Sequence, residues 1–308
     1  MSKTVFRVYS WFLVGYNIIV IMWGAVVRAT GSGAGCGNHW PLCNGEIVPQ
    51  LERIETKIEL FHRLTTSLDG LLVIILVFFA YRLYTRKSTI FKWAFTALVF
   101  ILIEGFLGRM LVIQDWVADN VSVMRAIAVA VHLVNTYFLL AALTITAWLG
   151  NKSEIKLRKL RIVNYLLITG LTLAIIFSAM GAITALGDTL FPSEAISFDI
   201  QKNFDPANNF LIRLRVIHPI LAILSSSYLI IAIRVIKNKQ LGKMIDFRGN
   251  WLTGVIIAQV LAGGTTILTL APLFMQMLHL MFADIFWVSL VLFSVETLTV
   301  AERISNEK

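Results

Sequence analysis

The sequence predicts an all-α integral membrane protein, with eight transmembrane helices in two pseudo-symmetric four-helix bundles. Three observations predict it. Of 308 residues, 57% are hydrophobic and 15% charged, against roughly a quarter charged in soluble domains. The apolar residues fall in runs of about 20, the length that spans a hydrocarbon core and too long for helices with one wet face. The chain also resembles itself at half its length. Disorder, a collagen-like fibre and a small disulfide scaffold are excluded. Two cysteines allow at most one bridge.

The first span, 8–28, follows Lys3 and Arg7 as a signal peptide would. Its run Trp11 to Val27 exceeds the usual apolar core of a signal peptide, and Arg28 stands where small cleavage-site residues would sit, so it reads as a retained helix. A loop with Cys36, His39 and Cys43 leads to the second span, 60–81, which carries His62 and Asp69. Arg82, Arg86, Lys87 and Lys92 surround the turn to the third, 91–113, which carries Glu104 and precedes Asp115 and Asp119. The fourth, 124–148, carries His132 and is followed by Lys152, Lys156, Arg158, Lys159 and Arg161. The fifth, 162–186, runs into Asp188, Glu194, Asp199 and Asp205, opposed only by Lys202. The sixth, 212–236, carries His218 and ends among Arg234, Lys237, Lys239, Lys243 and Arg248. A short turn joins the seventh and eighth, 250–270 and 273–297, and the eighth carries His279.

The charge pattern orients these spans. Lys and Arg number 27 against 18 acids, a net +9. The basic connections named above, with Lys3, Arg7, Arg303 and Lys308, hold 18 of the 27. The positive-inside rule then places both termini in the cytoplasm of a cell (plasma) membrane protein and the acidic loops outside. The basic excess is topology and gives no sign of nucleic acid.

The repeat divides the chain into 1–150 and 151–308. Trp23-Gly-Ala-Val-Val27 resembles Met180-Gly-Ala-Ile-Thr184, and Glu104-Gly-Phe-Leu-Gly108 resembles Gln259-Val-Leu-Ala-Gly263. Phe61-His62 matches Ile217-His218, and Val131-His132 matches Leu278-His279. In that order the offsets are 157, 155, 156 and 147. Four spans per half make the copies parallel, related by an axis along the membrane normal.

Four of the five histidines occupy these paired positions, each in the first third of a helix that enters from outside. His132 lies about eight residues into its span, roughly 12 Å at 1.5 Å per residue. Ionisable groups inside a membrane are costly and point to function. Two imidazoles across a planar ring are what six-coordinate haem iron requires. Zinc would need a third or fourth ligand in each half, which Glu59 could supply only in the first. The plainer alternative is that each histidine bridges helices as a satisfied polar group. His39 has no repeat mate and reads as a loop residue.

An acid accompanies only the first pair. Glu59 stands three residues before His62 on the same helix face, and Arg215 occupies the equivalent place before His218. Glu59 is therefore the candidate acid–base group, the alternative being an ion pair with Arg63. Asp69 shares that face deeper in the span and either meets a ligand or bonds another helix. Asp284 and Glu296 are further intramembrane acids, and Glu104, aligned with Gln259, reads as an interhelical hydrogen-bonder. Arg28, Arg63, Arg109, Arg125, Arg213 and Arg215 gather at outer helix ends, where haem propionates would give them partners and lipid headgroups are the alternative. Cys36 and Cys43, in an outer loop that permits oxidation, read as a structural bridge over the first site, with a redox thiol pair as the alternative.

Thr30-Gly-Ser-Gly-Ala-Gly-Cys36, Trp40-Pro-Leu-Cys43 and Glu59-Leu-Phe-His-Arg63 resemble the haem A synthase family of respiratory membranes, and the second-half histidines extend the resemblance over nearly the whole chain. The resemblance implies a b-type haem as cofactor between His218 and His279, and haem O as substrate between His62 and His132. It implies oxidation of the C8 methyl group of haem O to a formyl group through two hydroxylations, with Glu59 as the important acid and Cys36 and Cys43 as the cysteine pair. A haem O synthase and an electron donor are the implied partners, beside the lipid membrane. Two departures stand out. Many bacterial members carry a second cysteine pair, absent here between Gly187 and Leu211. Pro219 follows His218 where an Arg is expected, which passes the propionate contact to Arg213 or Arg215. The rival readings are a bis-histidine b-type cytochrome and a transporter built on the four-helix repeat.

Overall fold

The computed structural model describes all residues except 1, 48, 151, 153–154, 159, 194, 196–200 and 302–308. Lys159, Glu194, Asp199, Arg303 and Lys308, counted above among the loop charges, lie outside the described residues. The helices are α1 (Lys3–Ala29), α2 (Ile54–Leu83), α3 (Thr89–Ile113), α4 (Val123–Leu149), α5 (Arg161–Leu190), α6 (Phe210–Leu214), α7 (Ile217–Lys237), α8 (Lys243–Leu268) and α9 (Leu273–Leu298). With α6 and α7 taken together, eight stretches are long and apolar enough to cross a membrane.

Capping explains why several helices overrun their apolar runs. The Ser2 hydroxyl accepts from the Val5 amide at 3.3 Å, Ser88 from Phe91 at 3.2 Å, and Ser122 from Arg125 at 3.2 Å. Each relieves an orphan donor of the first turn. The sixth span is broken rather than continuous. Pro219 is the third residue of α7, in the first turn, where its missing N–H costs little. In an unbroken helix its ring would meet the carbonyl of Arg215, and the hydrogen-bond ladder is interrupted at Arg215 and Val216, which keep right-handed helical dihedrals.

The two halves pack alike. In the first, α1 lies on α2, α2 on α3, α3 on α4, and α4 returns to α1. In the second, α5 lies on α7, α7 on α8, α8 on α9, and α9 returns to α5. Helices α1 and α4 meet α5 and α9 between them. One hydrogen bond recurs at matching positions with its direction exchanged. The Tyr9 hydroxyl donates to the Leu72 carbonyl at 2.7 Å, and the Tyr228 hydroxyl donates to the Leu166 carbonyl at 3.2 Å.

Lipid removes the hydrophobic drive for helix association, leaving packing and about 0.6 kcal/mol per interhelical hydrogen bond. The most continuous buried surface accordingly lies on α4 and α9. There Tyr137 and Trp287 stack at 4.8 Å, and the Trp287 indole donates to the Tyr137 carbonyl at 2.7 Å. Asp284 is fully buried in this interface, with neither carboxyl oxygen hydrogen-bonded.

The all-α fold expected from the sequence is thus present, with a short two-stranded antiparallel ribbon, β1 (Ile155–Leu157) with β2 (Thr299–Ala301), added to it. It ties the segment between the halves to the end of α9. Beside it, Glu296 accepts from the Trp148 indole at 2.8 Å and pairs with Lys152 at 3.4 Å and Arg248 at 3.6 Å. Arg158 donates to the Thr299 carbonyl at 3.1 Å. Several of the basic residues that signal topology therefore also clamp this end.

Candidate haem-binding site

Each of the four histidines is partly exposed within its helix, and each lies against a glycine of a neighbouring helix. A Cβ added at Gly24 would fall 3.1 Å from His62 Cε1, and one at Gly108 3.8 Å from His132 Nε2. One at Gly181 would fall 2.8 Å from His218 Cε1, and one at Gly263 2.9 Å from His279 Cε1. These are the glycines inside the repeated segments of α1, α3, α5 and α8. At Gly24, Gly181 and Gly263 the missing Cβ leaves room for an imidazole, whereas at Gly108 an added Cβ would make an ordinary contact; the sequence shows these positions only as a repeat of unknown purpose.

The second-half rings lie edge to face, with centroids 6.4 Å apart and planes at 71°. Two imidazoles on one metal, each at a bond length of about 2 Å, place their centroids roughly 6 Å apart. His218 Nδ1 lies 3.0 Å from the Phe177 carbonyl, which leaves Nε2 as the ligand nitrogen. In the first half His62 Nδ1 is buried without a hydrogen-bond partner. His132 Nδ1 lies 2.8 Å from Glu104 Oε1. Among the described residues no three His, Cys, Asp or Glu side chains gather into a larger metal cluster. The second-half pair thus fits a metal that brings its remaining ligands with it, as a porphyrin does.

Glu59 is buried and fully engaged. Its Oε2 accepts from the Cys36 amide at 2.8 Å, and its Oε1 accepts from Arg63 at 2.5 and 3.0 Å. Arg63 also donates to the carbonyls of His39 and Leu42, both at 2.7 Å. Cys36 and Cys43 are joined in a disulfide. The Thr56 hydroxyl donates to the Gly35 carbonyl at 2.7 Å, and a Cβ at Gly35 would fall 2.4 Å from the Glu55 backbone. Only glycine lets the loop lie this close to α2. The ion pair with Arg63 is therefore present, and it holds the disulfide loop down as well.

Arg215, the repeat counterpart of Glu59, donates to the Gly187 carbonyl at 2.8 Å and to the Phe191 carbonyl, and pairs with Asp188 at 2.9 Å. Glu59 thus ties its helix to the disulfide loop, and Arg215 ties its own segment to the C-terminal end of α5.

The remaining predicted residues separate. Arg28 donates to the carbonyl of Ala185, its own repeat counterpart, to the Thr189 hydroxyl at 2.6 Å and to Gln276 at 3.2 Å, bridging the halves. Arg125 donates to the carbonyls of Ala118 and Asn120. Arg109 lies 5.9 Å over the Trp40 ring. Arg213 is exposed on α6. Asp69 accepts from the Asn17 amide at 2.6 Å, so it bonds another helix.

Residues 7–291 match the COX15-CtaA model, described as cytochrome oxidase assembly protein. A protein named Protoheme IX farnesyltransferase from Thermus thermophilus is 40% identical over 292 residues, 94% of this chain and 48% of that protein. Proteins named Heme A synthase from Bacillus cereus and Bacillus anthracis are 42% identical over 96 residues, 31% of each chain. The chain thus spans about half the length of its Thermus relative.

Proposed function

Since the chain belongs to the COX15-CtaA family of cytochrome oxidase assembly proteins, we propose that it is a haem A synthase, an oxidoreductase that converts the C8 methyl group of haem O to a formyl group by successive hydroxylations. The observation that carries this is the duplicated pair of imidazoles, three of whose rings are seated closely on a glycine. Residues 1–150 form the half that takes haem O between His62 and His132. Residues 151–308 form the half that holds haem b between His218 and His279. Haem b, held by His218 and His279, would supply one-electron transfer.

The protein's own groups have separable tasks. His62 and His132 bind and orient the substrate. Glu59, one turn from His62, holds or moves a proton near the methyl group while keeping the Cys36–Cys43 loop closed over it. Arg63, Arg213, Arg215 and Arg28 lie at the end of the helices where propionates would emerge. The basic connections orient both termini to the cytoplasm of a plasma membrane. The name of the Thermus relative links this sequence to prenylation of protohaem, which supports a haem O synthase as supplier of substrate. An electron donor is the second partner.

Coexpression with a haem O synthase, followed by extraction of the pigments, tests the reading. A haem A synthase yields haem B together with haem O or haem A. Haem B alone identifies a cytochrome, and no haem identifies a transporter.

A further inference from the structure

The two ligands of the first half are held very differently. His132 Nδ1 meets Glu104 Oε1 at 2.8 Å across α3 and α4. Glu104 is itself fixed by the Asn135 amide at 2.5 Å and by the Thr136 hydroxyl. Asn135 in turn donates to the Phe100 carbonyl at 3.0 Å. His62, opposite, rests on Gly24 with its Nδ1 buried and unpartnered. The second half has no carboxylate on either ring, and His279 Nδ1 is buried and unpartnered as His62 Nδ1 is. Gln259 stands at the place of Glu104 with its side-chain oxygen buried and unbonded, and His218 leans on the Phe177 carbonyl at 3.0 Å.

A carboxylate acceptor on Nδ1 orients an imidazole and strengthens it as a ligand beyond what a carbonyl does. We propose that Glu104 is a positioning residue that makes His132 the fixed axial ligand of the first-half haem and leaves His62 as the ligand that yields. This rests on the reading that the first half takes haem O. Such a site must admit a haem, free one face of its iron and release the product, whereas the second half must only retain its cofactor. A charged acceptor behind one ligand serves the first task, whereas the second half offers only the neutral Phe177 carbonyl behind His218.

The test uses the full chain in detergent, loaded by coexpression, with the His218–His279 haem as an internal measure of folding. His62→Ala is expected to keep the first-half haem in a five-coordinate, high-spin form, and His132→Ala to lose it. Glu104→Ala is expected to weaken first-half haem binding about 10–100-fold and to raise the reduction potential of the haem that remains. Glu104→Gln, which keeps an acceptor without the charge, is expected to restore most of the binding while the potential stays raised. Equal loss of haem in the two histidine variants overturns the proposal. So does wild-type binding and potential in both Glu104 variants, since a merely structural carboxylate would leave the potential unmoved. A wild-type chain with no haem dependent on His62 or His132 overturns the functional reading itself, and this inference with it.

Discussion

Gly181→Ala is expected to strip the second-half haem while leaving the first-half haem in place. The new Cβ would fall 2.8 Å from His218 Cε1 and 3.3 Å from both ring nitrogens. The ring has little room to retreat, because the Phe177 carbonyl holds Nδ1 at 3.0 Å and the His279 ring stands 6.4 Å away. Glycine inside a helix costs about 0.5–1 kcal/mol relative to alanine, so on propensity alone the substitution would stabilise α5. The ring clash reverses that sign. Gly263→Ala, with a Cβ 2.9 Å from His279 Cε1, should remove the same haem. Gly15 and Gly254, where an added Cβ meets nothing within 4 Å, are the controls. Pyridine haemochrome spectra of the purified variants read the result, and a full haem complement in Gly181→Ala would refute the seating argument.

Glu59→Gln should bind haem O normally and fail to convert it. The choice of Gln over Ala matters. Glu59 is paired with Arg63, whose side chain is only 12% exposed, and removing one partner of a buried pair costs about 3–5 kcal/mol. Alanine would therefore open the loop as well as delete the acid. Glutamine keeps an oxygen for Arg63 or the Cys36 amide and loses only the ability to exchange a proton. Haem extraction after coexpression with a haem O synthase should give haem O without haem A. Normal haem A from this variant would assign Glu59 to loop anchoring alone.

The spans and the four imidazoles were legible because both are local. An apolar run of membrane length needs no knowledge of neighbours, and histidines at matching repeat positions declare themselves as a set. What stayed hidden depends on which helices touch. Glu104 and His132 are 28 residues apart and meet only because α3 packs on α4. The glycines lay within the matched segments, yet their purpose appears only when a ring occupies the missing Cβ. The break before α7 was half legible, since Pro219 forbids a continuous helix, but where the hydrogen-bond ladder is interrupted is a tertiary choice. The ribbon of Ile155–Leu157 with Thr299–Ala301 pairs segments from opposite ends of the second half, beyond any helical pattern. The arginines at the outer helix ends illustrate the limit most clearly. Their charge shows that they need anionic or carbonyl partners, and the structure gives Arg28, Arg63 and Arg215 such partners within the protein.

Electron paramagnetic resonance on the purified, fully loaded chain addresses the two imidazole pairs most directly, combined with haem counts in the four single His→Ala variants. Two low-spin, bis-imidazole haems per chain are expected, with His218→Ala and His279→Ala altering one signal and His62→Ala and His132→Ala the other. A single haem, or a haem that responds to one histidine from each half, would contradict the assignment of one site to each bundle.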